Sequence, residues 1–356
     1  MQIVHDYQCL HQIPELDHDL PKTLSYIRSR LAPLKCVVFS PIPSAVCAYF
    51  YYERPRTLAF RADTDALPIQ EQSELPWKSK HPGRMHACGH DGHTAILLDL
   101  ARKLHREKQM PYNILLIFQP AEETTGGAQA ICKTGILHKL AVQYIFALHL
   151  WPELEKGEIF GKSGILMSHS STVTVTFTGI SKHIADTCGN TDVFGACCRF
   201  YSSVGQLGSD RFLLKFGKIN GGTAENILCS QVRLSGTLRT FDTDTVGQIS
   251  STLTTLCYRV AKQYSCQGEI SIVPGYPSIQ NDNVLWEKVQ KIHPVKSIDR
   301  AYWTAEDFSY YQENIPGIYF LLGIGNTPPL HSPFFTFDTS VLEIGTDFFW
   351  KLCKTM

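Results

Sequence analysis

The 356-residue sequence carries no excess charge of either sign: Lys and Arg total 33, as do Asp and Glu. A neutral total supplies no attraction for nucleic acid or for an anionic membrane, so neither is expected as a partner. No apolar run approaches the roughly 20 residues that a transmembrane helix needs. The opening stretch MQIVHDYQCL lacks a basic segment followed by an apolar core. No signal peptide is expected, and the expected compartment is the cytoplasm. The 12 cysteines are scattered and include no C-x-x-C pair. A chain of this size needs no disulfide staples, and most of these cysteines read as small buried hydrophobes in reducing surroundings. Internal repeats and low-complexity linkers are missing as well.

What the sequence does have is apolar mass. Hydrophobic residues make up 44% of it, enough for a packed interior, and the length exceeds one compact core. Leu20, Leu24, Ile27 and Leu31 recur at helical spacing in LPKTLSYIRSRLA. Extended apolar pieces follow: CVVF (36–39), VCAYFYY (46–52) and TLAF (57–60). TAILLDLARKLHRE is an amphipathic helix with Ile96, Leu97, Leu100, Ala101 and Leu104 on one face. NILLIF (113–118), YIFALHL (144–150) and IYFLLGIG (318–325) have the unbroken hydrophobicity of strands covered on both faces. GGAQAICKTGIL, between the first two, is expected as a helix. Strands alternating with helices predict an α/β sheet.

The middle of the chain differs. STVTVTFTG (171–179) alternates Val173, Val175 and Phe177 with threonines, the pattern of a strand with one wet face. RFLLKFGKI and QVRLSGTLRTF look similar, and residues 242–264 read as a helix. The expected fold is an α/β domain, residues 1–167 and 276–356, whose mixed, largely parallel sheet is flanked by helices. A smaller α+β domain with an antiparallel sheet, residues 168–275, interrupts it.

Residues 84–95, RMHACGHDGHTA, crowd three histidines, a cysteine and an aspartate between His86 and His93. In an open α/β sheet, ligands gather beyond the carboxyl ends of the strands. TLAF leads there into Arg61-Ala62-Asp63-Thr64-Asp65, and NILLIF into Gln119-Pro120-Ala121-Glu122-Glu123. YIFALHL brings His149, and the loop after IYFLLGIG brings His331. Cysteine, histidine and carboxylate thus reach one rim. Cys88 and His90 can face one point across a glycine-containing turn, and a thiolate with an imidazole suits Zn, Mn, Co or Ni better than Mg or Ca. Glu122 and Glu123 would repel if both were buried. A cation beside one removes that cost and leaves the other free to move protons. The assembled set is Cys88, His90, Glu123, His149 and His331, with Glu122 left over. Five ligands exceed the three of a usual catalytic zinc and suit two divalent ions. A two-metal site lowers the pKa of water and polarises a carbonyl oxygen, which points to amide hydrolysis.

RADTDALPI, HACGHDGHTA, FQPAEE, LHLWPELEKGEI, GGTAEN, GTLRTF, EDFSYY and LHSP, in that order along the chain, resemble the M20 metallopeptidase family. Within it they are most similar to the amidohydrolases that include hippurate hydrolase and N-acetyldiaminopimelate deacetylase. The resemblance implies two metal ions in the α/β domain and a smaller domain that serves as lid and homodimer interface. It makes Cys88 a bridging thiolate and His90, Glu123, His149 and His331 the remaining ligands. Glu122 matches the general base, and Asp63 a residue that orients a ligand. TFTGISKHIADTCG is similar to the lid stretch whose histidine, here His183, steadies an oxyanion in the neighbouring subunit's site. This stretch lacks the proline and second histidine common there. Asn226 and Arg239 match positions that hold the substrate carbonyl or carboxylate. The implied reaction cleaves an N-acyl amino acid, of N-acetyl or N-benzoyl type, to a carboxylic acid and a free amino acid. A dipeptidase or carboxypeptidase on the same scaffold is an alternative. So is a metal-binding relative without catalysis, although such a protein has no use for a spare Glu122.

Overall fold

The computed structural model describes residues 2–186, 191–208 and 210–356. Contacts divide the chain into two units. One comprises the residues up to 166, 279–300 and those from 306 onward; the other comprises 167–278 and 301–305.

In the first unit four strands lie side by side and parallel: Asn113–Gln119, Thr57–Asp63, Val142–Pro152 and Gly317–Gly325. Every residue of Asn113–Gln119 and Thr57–Asp63 is buried. Successive strand side chains point to opposite faces, so unbroken burial means that both faces of the sheet are covered. Val46–Phe50 and then Val37–Phe39 extend one side antiparallel. Ile159–Gly161 lies antiparallel beside Gly317–Gly325, and Lys296–Ser297 parallel beyond it. The sheet is mixed with a parallel centre. Thr57–Asp63 runs past the TLAF segment, so Arg61 and Asp63 sit within the sheet rather than in the loop beyond it.

The helix His90–Arg106 starts inside the crowded turn and buries Ile96, Leu97, Leu100, Ala101 and Leu104. Each large side chain contributes about 1.5–3 kcal/mol to holding that start against the sheet. The C-terminal helix Val341–Thr355 packs on it. The helix expected over GGAQAICKTGIL is instead two, Gly127–Lys133 and Ile136–Lys139. The first ends where its hydrogen bonds tighten, Thr134 N–H to Ile131 O and Gly135 N–H to Cys132 O, at 3.1 and 3.0 Å. The N-terminal helix Gln2–His11 is absent from the hydrophobic pattern of the sequence.

The second unit is an antiparallel sheet in the order Gln267–Pro274, His169–Thr178, Gln231–Thr240 and Phe212–Gly221. Val173, Val175 and Phe177 are buried, while Thr172 before them is exposed and Thr174 and Thr176 between them are half-buried. The helices Val193–Gly205 and Thr243–Gln263 cover the apolar face through Phe200, Leu253, Leu256 and Val260. No disulfide joins the 11 described cysteines, and six of them are buried. Cys188, like Thr187 in the lid stretch, lies outside the described residues.

Candidate metal centre

Gly89 makes the turn between Cys88 and His90. Its φ is 86°, the left-handed region in which a side chain is strained. Folding there lets the helix His90–Arg106 begin at the next residue. His331 reaches the same place through its backbone, whose N–H donates to Ala87 O at 2.8 Å. Three overlapping trios result: Cys88–His90–His149, Cys88–Glu123–His331 and His90–Glu122–Glu123. Within each, the donor atoms lie within 4.8 Å of one another.

Hydrogen bonding decides which imidazole lone pairs are open. His90 Nδ1 donates to Asp65 O at 2.9 Å. Its Nε2 is buried and finds no hydrogen-bond partner among the described residues. His149 Nδ1 donates to Leu150 O at 2.7 Å, which turns Nε2 toward Cys88 Sγ, 3.4 Å away. His331 Nε2 stands 3.2 Å from Glu123 Oε1. His93 is different. Its Nε2 accepts the Leu150 N–H at 2.9 Å and its Nδ1 donates to Asp63 Oδ1 at 2.6 Å, so no lone pair is left for a metal. In the sequence His90 stands out by its spacing from Cys88, and in the structure its partners separate it from His93 as well.

The Glu122–Glu123 pair is held by its backbone. Ala121 takes φ 61° after the strand Asn113–Gln119. Both glutamate N–H groups then donate to the Asp65 carboxylate, each at 3.0 Å. Asp65 therefore fixes His90 with its carbonyl and the glutamate pair with its side chain, a role that sequence reasoning missed. Its signal was its second place in RADTDALPI, beside the singled-out Asp63. Asp63 itself holds His93 and lies 3.8 Å from His90 Nε2.

Behind this layer sits Arg61, 2% exposed. Its guanidinium donates to Asp63 Oδ2 at 2.7 Å, Glu306 Oε1 at 3.0 Å, Asp307 Oδ1 at 2.8 Å and Gln119 Oε1 at 2.9 Å. Carboxylate atoms of Glu306 and Asp307 lie within 4.8 Å of one from Glu122. Arg61, Glu306 and Asp307 were not singled out as site residues, although EDFSYY contains the last two.

The electrostatics are those of a site short of positive charge. Burial pushes the Cys88 thiol well up, and the Glu123, Glu122 and Asp63 carboxylates push it further. Burial opposes charge on His90, yet Asp63, Asp65 and Glu123 carry it to about 10. Burial, with His93 next, holds His149 well below its usual value, so it is a neutral imidazole. Burial alone would raise Glu123, but His331 and His90 hold it down. Burial, and then Glu306, Glu123 and Asp307, raise Glu122 well above an ordinary carboxyl. Soft and hard donors and an orphaned imidazole nitrogen fit a divalent metal. Cys88, His90, Glu123, His149 and His331 could hold it.

The remaining candidates belong to the second unit. His183 and Asn226 are exposed and brought together: Ile184 N–H donates to Asn226 O at 3.0 Å, and Leu228 N–H to Lys182 O at 2.7 Å. Arg239 lies in the strand Gln231–Thr240 opposite Ser170, close enough to His169 to lower its pKa after burial has done so.

The family model described as peptidase family M20/M25/M40 matches residues 59–355. An N-acetyldiaminopimelate deacetylase of Oceanobacillus iheyensis is 32% identical over 354 residues, which cover 95% of each chain. An N-acetylcysteine deacetylase of Bacillus subtilis is 31% identical over 363 residues, 96% of this chain and 93% of that one. Among solved structures, a Bacillus subtilis protein described as a dinuclear metal binding peptidase from the M20 family superposes with a TM-score of 0.87. The two are 29% identical, and the match covers 99% of this chain and 96% of that chain.

Proposed function

We propose a substrate class and a division of labour for a chain that belongs to the peptidase family M20/M25/M40 and is a hydrolase of linear amides. The substrate is an N-acyl amino acid, and the products are a carboxylic acid and a free amino acid. The relatives named as deacetylases of N-acetyldiaminopimelate and N-acetylcysteine support this class. The observation that carries the reading is the convergence of Cys88, His90, Glu123, His149 and His331 in overlapping trios, with Glu122 in reach of the same point. Cys88, His90 and Glu123 each belong to two of these trios, and among them Cys88 is the one that the family resemblance makes the bridging thiolate.

Two divalent ions held there would polarise a carbonyl oxygen and acidify water. The protein supplies the rest. Glu122, buried and with a raised proton affinity, takes a proton from the attacking water and returns it to the leaving amine. Asp65 keeps the glutamate pair in place, and Asp63 does the same for His93. His183 steadies the oxyanion in the neighbouring subunit's site, and Asn226 and Arg239 bind the substrate, with Arg239 suited to its carboxylate. A homodimer through the second unit is supported by the open edge of the strand Phe212–Gly221 and by exposed Ile180, Ile184, Tyr201, Ile219 and Tyr258.

The test reconstitutes metal-free protein with Zn, Mn, Co or Ni and compares N-acetyl and N-benzoyl amino acids with matching dipeptides. The acyl amino acid is expected to turn over faster; a preference for the dipeptide overturns the substrate class. Glu122→Gln should keep its metal and lose about 10²–10⁴-fold in kcat. Turnover at the parent rate would remove Glu122 from its role.

A further inference from the structure

A second cluster of buried titratable groups lies behind the crowded turn, and the proposed reaction does not use it. His11, the last residue of the helix Gln2–His11, is 1% exposed. Its Nδ1 is 2.6 Å from Asp91 Oδ2 and its Nε2 is 3.3 Å from Glu71 Oε1. Both ring nitrogens therefore face carboxylate oxygens. An ionised carboxylate only accepts, so both nitrogens must donate, and a ring that donates twice is a cation. The carboxylates have donors on their other sides. Asp91 Oδ1 accepts the Gly92 N–H at 2.8 Å. Glu71 Oε2 accepts the Ser79 N–H at 2.6 Å, and the Ser73 hydroxyl donates to Oε1. Among the described residues no lysine or arginine pairs with either carboxylate. The other titratable groups facing the cluster are Tyr7, whose ring lies 5.6 Å from that of His11, and buried His86.

We infer that His11 is held as an imidazolium and that this buried charge positions the start of the helix His90–Arg106, and with it His90. The inference rests on the reading of His90 as a metal ligand. Asp91 follows His90 directly, so fixing its carboxylate fixes the first helical turn. Its partner comes from 80 residues away along the chain. Burial opposes the charge, but the hydrogen bonds and charges of Asp91 and Glu71 raise His11 from 6.5 to about 9. His11 is a positioning residue: it touches neither the proposed ligands nor the point where they converge.

The experiment labels histidine with ¹⁵N in the full chain and reads the ring nitrogen shifts at pH 7.5, with His11→Gln identifying the signals. Both His11 nitrogens should be protonated; one unprotonated nitrogen overturns the proposal. A glutamine amide donates from one side only. Metal affinity of folded His11→Gln, measured by competition with a chromogenic chelator, should fall about 10–100-fold. If that variant does not fold, His11→Gln with Glu71→Gln removes the stranded carboxylate and carries the same expectation. Parental metal affinity in either folded variant, with only thermal stability lowered, marks a purely structural role and sinks this proposal alone. A parent chain that takes up no metal sinks the ligand reading, and this proposal with it.

Discussion

Single residues define the centre by the lone pairs they leave open. His90 and His93 are three positions apart on one helix, and their hydrogen-bond partners set them apart. The Asp65 carbonyl leaves His90 Nε2 open, whereas Asp63 and the Leu150 N–H occupy His93 on both sides. The candidates came from different signals: Cys88 and His90 from their spacing across a glycine turn, Glu123 from an acidic pair at a strand end, and His149 and His331 because each follows or interrupts an apolar run. Arg61 and Asp65 were not legible in the sequence, because what they do depends on strands and turns distant in sequence. Arg61 is the cation for three buried carboxylates, Asp63, Glu306 and Asp307. Arg61→Met strands all three and should cost about 3–5 kcal/mol, read from urea unfolding. An unchanged midpoint would mean that those groups carry protons instead of charge.

At the scale of elements, turns do the positioning. The segment between the strand Asn113–Gln119 and the helix Gly127–Lys133 carries both glutamates. A Cβ on Gly127 would sit 2.2 Å from Pro120 O, a backbone atom that cannot swing away. Gly127→Ala should therefore destabilise by about 1–3 kcal/mol and lower kcat through the displaced pair. Parental melting temperature and turnover would show that the turn is free to adjust. The long central strands were legible because unbroken apolar runs and strict alternation survive without knowledge of partners, whereas Gln267–Pro274, Ile159–Gly161 and Lys296–Ser297 hold neither pattern over their length and were not read. Nor was the helix Gln2–His11. Its buried face includes Asp6 and His11, polar residues that burial accepts only because Arg30, Arg102 and Tyr26 meet Asp6, while Asp91 and Glu71 meet His11. That pairing also sets a pH window. His11 is raised from 6.5 to about 9, so its contribution is full below 6.5 and is lost as pH rises through about 9. Burial opposes it, but His11, Ser73 and Ser79 lower Glu71 from 4.5 to about 2, so its contribution is full above 4.5 and is lost as pH falls through about 2. The difference in melting temperature between the parent and His11→Gln should be largest between pH 4.5 and 6.5 and shrink on either side. A difference independent of pH would contradict the charged pairing.

At the scale of the whole molecule, all five candidate ligands belong to the first unit, drawn from the crowded turn, two strand ends and the loop that carries His331. The second unit has a core of its own, an antiparallel sheet under two helices. No helix among the described residues is long and apolar enough to cross a membrane. The change of sheet type is visible in the hydrophobic pattern, which goes from unbroken runs to alternation where the second unit begins. The convergence of distant ligands is not, because it depends on strand order. The most direct measurement is anomalous diffraction from crystals grown with Mn or Zn. The expected map has two peaks, bounded by Cys88 Sγ, His90 Nε2, Glu123, His149 Nε2 and His331. A map without a peak at those atoms, or with its metal bound elsewhere, would contradict the two-metal centre and the hydrolysis built on it.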